Sequence, residues 1–456
     1  MTQSVNVDYR HIIAIAIPVV LANLAMPLQG VIDTAIVGHM PSAANLAGMG
    51  LALQLLTLLL VSFNFLQYAS SGLSAQALGE AARSSDALKS SGVTQLKLLS
   101  ILQRALLIAL VLGVLILLLK PWVITIGLKL LAANPQSSLA AQTYLNIRFY
   151  SVIAELMNFV FIGWFAGQGR TRYLLYQQTA IAALNIILTL TFVYIADMGL
   201  AGVALGTALA YWIGFVIAIL LVKSHLQLSW GELIQIDRAD MAKDKLLRLF
   251  SLNKDIFIRT FILTISFAWV TRLAASTGDL MLAATTILLQ VLTISALALD
   301  GVAVAAESLS GQSVGLGDKQ QFDLVIFRTG MVSYGLAAAL TLIWWLAMPY
   351  YLPLMTDHQE VIQLAFEYRW YAIILPVIGV GAYWLDGIFF GLTAGHVIRN
   401  AAIILAVVFF PLSYLLYLRF DTHGIFLSVC SLLLLRLGIL GIYLLRLRKE
   451  PLTTFQ

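Results

Sequence analysis

Cysteine occurs once, at Cys430, so the chain can form neither an internal disulfide nor a cysteine-based metal centre. Charge is scarce too: 11% of the 456 residues are Asp, Glu, Lys or Arg, against about 25% in soluble domains. No G-x-x-x-x-G-K-[ST] occurs, which excludes a P-loop ATPase engine within the chain. No H-E-x-x-H occurs and the six histidines are scattered, so neither a metal site nor another cofactor is expected. Gly311-Gln312-Ser313-Val314-Gly315 fits the nucleophile-elbow pattern G-x-S-x-G, but no strand precedes it. The chain therefore does not read as an enzyme, and no catalytic residue is assigned.

What is present is apolar surface. Hydrophobic residues make up 61% of the chain, and lipid-length runs of ~20 recur from end to end, which excludes a soluble core-rich protein. The sequence predicts an all-α polytopic membrane protein with twelve spans, from Ile12–Ile36 to Ile425–Leu445. The first run has two prolines and a polar face and lacks a small-residue cleavage site, so it does not read as a signal peptide. Placing the N-terminus inside gives the cytoplasmic loops Arg83, Lys89, Lys97, Arg170, Arg172, Lys319, Arg399 and the basic stretch Arg238–Lys254. The opposite loops hold chiefly Lys120, Lys129, Arg272 and Arg419, a bias that puts both termini in the cytoplasm. The same bias explains the net charge of +5 without nucleic acid as a partner.

The halves repeat. Leu53-Gln54-Leu55-Leu56-Thr57 matches Leu289-Gln290-Val291-Leu292-Thr293, an offset of 236. Leu73-Ser74-Ala75-Gln76 and Gly79 match Leu309-Ser310-Gly311-Gln312 and Gly315 at the same offset, and here Ala77 stands where the second copy has Ser313. The second span thus corresponds to the eighth. Six spans per half preserve orientation, which makes this a parallel repeat about an axis along the membrane normal. The expected organisation is an N-terminal six-helix bundle (1–222), a cytoplasmic linker (223–250) with an amphipathic helix around Arg238–Phe250, and a C-terminal six-helix bundle (251–456), related by a pseudo-two-fold axis around a central cleft.

Asp33 is the only formally charged residue between Arg10 and Glu80. A carboxylate at the bilayer centre costs roughly 3 kcal/mol or more, less if it is protonated, paired or facing water. A carboxyl that moves between those states is a proton or cation switch; an Asp near a helix end that reaches the headgroups is the alternative. Gln29, one turn earlier, is placed to hydrogen-bond Asp33 or to make a plain interhelical amide contact. Pro18 and Pro27 each remove an i→i−4 bond from the same helix, giving either a working hinge or a static kink.

Val31-Ile32-Asp33-Thr34-Ala35-Ile36-Val37-Gly38 resembles the first-helix signature of the multidrug and toxic compound extrusion (MATE) transporters. Asn253-Lys254-Asp255-Ile256-Phe257-Ile258-Arg259-Thr260, Leu299-Asp300-Gly301, Ala305-Ala306-Glu307, Asp386-Gly387-Ile388-Phe389 and Arg399-Asn400-Ala401 resemble its DinF-like branch. The resemblance covers nearly the whole chain. It implies cation-driven export of organic compounds by rocking of two bundles, with Asp33 as the N-half coupling carboxylate. Where the family often has Asn and then Asp four residues later, this chain has Asn185 and Thr189. One carboxylate among neutral oxygens suits Na⁺ poorly, so H⁺ is preferred as the coupling ion, unless Glu155 reaches the same cavity.

The expected supporting cluster in the N-half is Gln29, Asn64, Asn158, Asn185, Thr189 and Thr207. The offset of 236 puts Trp269 opposite Asp33, and aligning Gly199 with Gly424, an offset of 225, puts Phe410 opposite Asn185 and Tyr414 opposite Thr189. Asp300, Glu307 and Asp386 are further intramembrane carboxylates, with Arg259 a partner on the seventh span. They read either as helix-holding ion pairs or as a second cation or drug site. The runner-up function is a lipid or lipid-linked oligosaccharide flippase, disfavoured because the spans look nearly free of Arg and Lys. Drug-sized molecules and membrane lipid are the expected partners, in the inner membrane, for a monomer.

Overall fold

The computed structural model describes residues 6–83, 87–131, 134–235 and 243–449. These are almost wholly helical, with no strand among them. In chain order the helices are α1 (Tyr9–Gly38), α2 (Ala43–Val61), α3 (Phe65–Arg83), α4 (Ala87–Leu130), α5 (Pro135–Arg148), α6 (Val152–Gly167), α7 (Thr171–Leu190) and α8 (Gly199–Leu226). There follow α9 (Trp230–Ile234), α10 (Lys243–Ser276), α11 (Asp279–Leu316), α12 (Lys319–Met355), α13 (Gln359–Gly391), α14 (Gly395–Phe420) and α15 (Thr422–Leu447). Among the described residues twelve segments are long and apolar enough to cross a bilayer, the number expected. Two of these are broken: Ala43–Arg83 comprises α2 and α3, and Pro135–Gly167 comprises α5, a 3₁₀ turn at Phe149–Ser151, and α6.

Helix ends follow local chemistry. Asn134 accepts from the Ser137 amide at 2.8 Å and Pro135 opens α5, where its missing N–H costs nothing. Asp318 caps α12 through the Gln321 amide at 3.0 Å, just after Gly317 has closed α11 at φ 74°. In the polar stretch between the halves, Ser229 and Glu232 form a capping box that starts α9. The amphipathic helix expected around Arg238–Phe250 lies partly outside the described residues; from Lys243 the backbone is helical through Ser276. Gly311–Gly315 lies inside α11, so no strand-to-helix elbow exposes Ser313.

The chain forms two compact units. One holds the described residues of Leu21–Ser74 and Asp86–Phe250; the other holds those of Met1–Val20, Ala75–Ser85 and Ser251–Gln456. The first unit includes the stretch expected as a linker, and two segments from the N-terminal part of the chain fall in the second unit. The first turns of α1 group with the C-terminal half because Arg328 donates to the Val7 carbonyl at 3.2 Å and the α1 backbone at Ala16 and Val20 abuts Gly301. The end of α3 groups there because Gln76 donates to the Gly391 carbonyl at 3.1 Å.

The repeat reappears in packing. In the first unit Gly163 and Gly167 of α6 lie against the carbonyls of Gln67 and Ser71 of α3; in the second, Gly387 and Gly391 of α13 lie against those of Ala303 and Glu307 of α11. The carbonyl residues keep the offset of 236 and the glycines share one of 224. A Cβ at any of the four would overlap the facing oxygen, so each half uses one G-x-x-x-G crossing for close backbone approach. The sequence motif that revealed the repeat also meets its own copy. Gly79 lies on the Gln312 carbonyl and Gly315 on the Gln76 carbonyl, a reciprocal contact.

Candidate functional site

In the first unit, α7 ends in a π-helical turn at Thr191–Ile195, and a tight connection through Asp197 (φ 51°) and Gly199 (φ 52°) returns the chain as α8. The backbone of α8 presses on α7 at Gly206, where an added Cβ would lie 2.7 Å from the Thr189 amide and hydroxyl. That contact sets Thr207 beside Asn185, whose Nδ2 donates to Thr207 Oγ1 at 2.8 Å. Both reach the same carboxylate oxygen: Asn185 Nδ2 and Thr207 Oγ1 each lie 3.4 Å from Asp33 Oδ2. Thr207 has one proton and a shorter bond, at 2.9 Å, to the Val203 carbonyl, so Asn185 is the better donor to Asp33. Asp33 is 5% exposed. Asp33 Oδ1, Asn185 Oδ1 and Thr189 Oγ1 are buried with no hydrogen-bond partner among the described residues, as is Gln29 Oε1 one turn earlier on α1.

The structure thus brings Asp33, Asn185 and Thr207 together, with Thr189 adjoining through Gly206. It does not join the others to them. Gln29 makes no bond to Asp33, although its spacing allows one, and its Oε1 is buried without a partner. Asn158 belongs to a separate network, accepting from Gln177 at 2.9 Å and donating to the Tyr211 carbonyl at 3.0 Å. Asn64 sits at the break between α2 and α3, half-buried. Pro18 and Pro27 leave α1 helical throughout; Pro18 lies two residues before the point, Val20–Leu21, at which α1 passes from one unit to the other.

Arg148 was missed by the sequence reading, and so was the true role of Glu155. The 3₁₀ turn at Phe149–Ser151 lets Arg148 fold onto Glu155, and Ser151 donates to the same Glu155 oxygen at 2.7 Å. Glu155 is therefore a held counter-ion, not a second open acid beside Asp33. Arg148 also lies over the Tyr211 ring, 5.2 Å from its centroid, and its charge reaches Asp33 through the interior. The seven-residue spacing of opposite charges within an apolar span was the available signal.

The second unit differs at each corresponding place. Trp269 donates to Ser413 at 2.9 Å and meets Phe410 edge-on at 5.9 Å, so the counterparts of Asp33 and Asn185 do touch. Tyr414, expected opposite Thr189, instead turns outward and is 49% exposed. Arg259 pairs with Asp386, not with Asp300, and Arg436 of α15 donates to the same Asp386 oxygen. Asp300 stands off on α11, half-buried and within electrostatic reach of both guanidiniums. Glu307 is buried at the α11–α13 crossing, its backbone carbonyl against Gly391. Asp255 and Arg399, from two of the quoted motifs, form an ion pair at 2.7 Å between α10 and the first turn of α14. The spans are thus not nearly free of arginine: Arg148, Arg259 and Arg436 all lie within them, each held by a carboxylate.

The MatE family model matches residues 18–191 and 256–415. The DNA damage-inducible protein F of Escherichia coli is 32% identical over 425 residues, 92% of this chain and 89% of that protein. Protein DETOXIFICATION 44, chloroplastic, of Arabidopsis thaliana is 25% identical over 393 residues, 84% of this chain and 72% of that protein. In fold the chain is similar to the Vibrio cholerae MATE transporter VcmN in its bent form, with a TM-score of 0.82, 17% identity, and coverage of 98% and 97% of the two chains. With twelve bilayer-length helices and a family match over both halves, this multi-pass membrane protein belongs to the MatE family and is a transporter rather than an enzyme.

Proposed function

We propose that this chain is a proton-coupled antiporter exporting organic, cationic or amphipathic compounds by alternating access, with Asp33 as the coupling carboxylate. The observation that carries this reading is Asp33 itself: buried, contacted through one oxygen by Asn185 and Thr207, and unpartnered at the other. A protonated Asp33 adds one donor to a neighbourhood holding two further partnerless acceptor oxygens, those of Asn185 and Thr189. An ionised Asp33 offers a cationic compound a counter-charge. The two states of one residue thus favour different occupants, as exchange requires. The Lys and Arg bias of the loops supports an inner-membrane location with cytoplasmic termini. Asp33, near the end of α1 remote from the N-terminus, then lies toward the outer side, where lower pH protonates it and substrate leaves. Inward release of H⁺ restores the charge and drug rebinds. The reciprocal contact of Gln76–Gly79 with Gln312–Gly315 is the closure that must part as access alternates.

Na⁺ coupling is the second reading, favoured by the partnerless oxygens of Asp33, Asn185 and Thr189, which are hard ligands of the kind alkali and alkaline-earth cations take. Export measured in inside-out vesicles, with ΔpH and ΔNa⁺ imposed separately, tests both. ΔpH alone is expected to drive drug uptake into these vesicles, and Asp33→Asn to abolish it at normal expression. Full activity of that variant would refute the assignment; transport driven by ΔNa⁺ alone would replace the ion.

A further inference from the structure

The break between α5 and α6 has an exposed side as well as a buried one. On the buried side it lets Arg148 fold onto Glu155. On the exposed side two neighbouring helices reach in to its main-chain carbonyls. Lys120 of α4 donates to the Asn146 carbonyl at 2.8 Å, and Trp212 of α8 donates to the Tyr150 carbonyl at 3.1 Å. The Lys120 ammonium also lies over the Tyr150 ring, 4.5 Å from its centroid. Tyr150 and Trp212 are exposed, as are Leu118 on α4 and Ile213 on α8, so the surface around the lysine is aromatic and aliphatic.

The sequence pattern places Lys120 in a loop. In the structure α4 continues for ten more residues to Leu130, about 15 Å at 1.5 Å per residue. The ammonium therefore stands within a span and short of its end, where a charge is costly unless paired. Among the described residues no carboxylate meets it; its partners are a neutral carbonyl and a ring. An ammonium has three donors, and these two partners leave one of them over. The fold does not require this arrangement. Offsets of 224 and 225 carry Asn146, Tyr150 and Trp212 onto Trp370, Ile374 and Leu437, and there α13 runs unbroken from Gln359 to Gly391.

A lysine with a donor to spare, flanked by exposed tyrosine and tryptophan on an apolar surface, has the composition of a headgroup-level contact. The anion present at that level is the phosphate of a phospholipid, and an ammonium binds phosphate as a charge-assisted donor. A zwitterionic headgroup brings its own ammonium to compete for that phosphate, whereas an anionic one does not. We propose that Lys120, with Tyr150 and Trp212 beside it, binds the phosphate of an anionic phospholipid on the lipid-facing surface of the first unit, and that the bound lipid braces the break between α5 and α6. The site shares no residue with the Asp33 cluster, so it stands whichever ion drives transport.

The test is native mass spectrometry of the full-length protein in a neutral detergent, titrated with dioleoyl phosphatidylglycerol or dioleoyl phosphatidylcholine. The first phosphatidylglycerol is expected to bind about fivefold more tightly than the first phosphatidylcholine. Lys120→Gln weakens the first phosphatidylglycerol about tenfold and abolishes the preference, whereas Lys120→Arg retains it. Tyr150→Leu, which removes the ring beneath the ammonium, weakens it about threefold. Lys129→Gln, nine residues further along α4, leaves it unchanged. Phosphatidylglycerol also raises the melting temperature of the unaltered protein and not that of Lys120→Gln. No preference for the anionic lipid, unaltered binding by Lys120→Gln, or an equal loss in Lys129→Gln, the mark of diffuse surface charge, overturns the site. An equal rise in melting temperature for both proteins overturns the brace. If Lys120→Gln fails to fold, Tyr150→Leu against Lys129→Gln decides: a loss in the first alone supports the site, and equal effects overturn it.

Discussion

The two halves share one set of helix crossings and place their charge at different points on it. In the first unit Asp33, Asn185 and Thr207 meet, and Arg148 is neutralised by Glu155 nearby. The corresponding residues of the second unit are Trp269, Phe410, Leu432, Ala372 and Gly379. Conversely, Arg259, Asp386 and Arg436 have Asn23, Ile162 and Tyr211 as counterparts. Wherever one half buries a charge, the other has an uncharged side chain. Duplication therefore accounts for the scaffold and not for the polar sites. A buried charge that symmetry does not require is expensive to keep.

Five substitutions break or sharpen that comparison. Asp33→Asn has the largest effect: ΔpH-driven export falls to background in vesicle transport while immunoblots show normal membrane abundance. Asp386→Asn does the reverse. It leaves two guanidiniums without their shared carboxylate, at a cost of about 3–5 kcal/mol, so abundance and thermal stability in detergent both drop. Normal abundance with lost export would move the coupling site to the second unit. Gly315→Ala pushes a methyl into the Gln76 carbonyl, and overpacking of about 1–3 kcal/mol should slow export about tenfold, with insertion intact. Unchanged export kinetics would show that this closure is not part of the cycle. Pro18→Ala restores a helical bond near the point where α1 changes units and is expected to slow export severalfold; unaltered rates would mean a static bend. Trp269→Phe removes the indole donation to Ser413, worth ~0.6 kcal/mol, and should shift the melting temperature slightly without altering ΔpH dependence.

Asp33 is legible in the chain because nothing charged surrounds it and because apolar runs of lipid length leave a carboxylate nowhere to hide. Asn185 follows from the family resemblance of the fifth span. Thr207 becomes a contact only because Gly206 lets α8 press against α7, which spacing along one helix cannot reveal. Gln29 shows the converse error: i, i+4 geometry permits a bond to Asp33 that the side chain does not make. Arg148, and its pairing with Glu155, escaped notice because the paired charges cancel. The pairing itself depends on a 3₁₀ turn that hydropathy does not announce.

The sequence alone determined the number of spans, the internal repeat and the lone acid of the first helix. Each depends on a local quantity, the transfer of side chains into lipid or identity at a fixed offset, that needs no knowledge of neighbours. Only the tertiary structure decided which polar groups meet. Arg436 joins Arg259 on Asp386 across 177 residues of chain from Arg259, and Asp300 is left standing off. Interhelical partnership is set by how closely backbones approach, and that depends on which small residues of distant segments end up face to face.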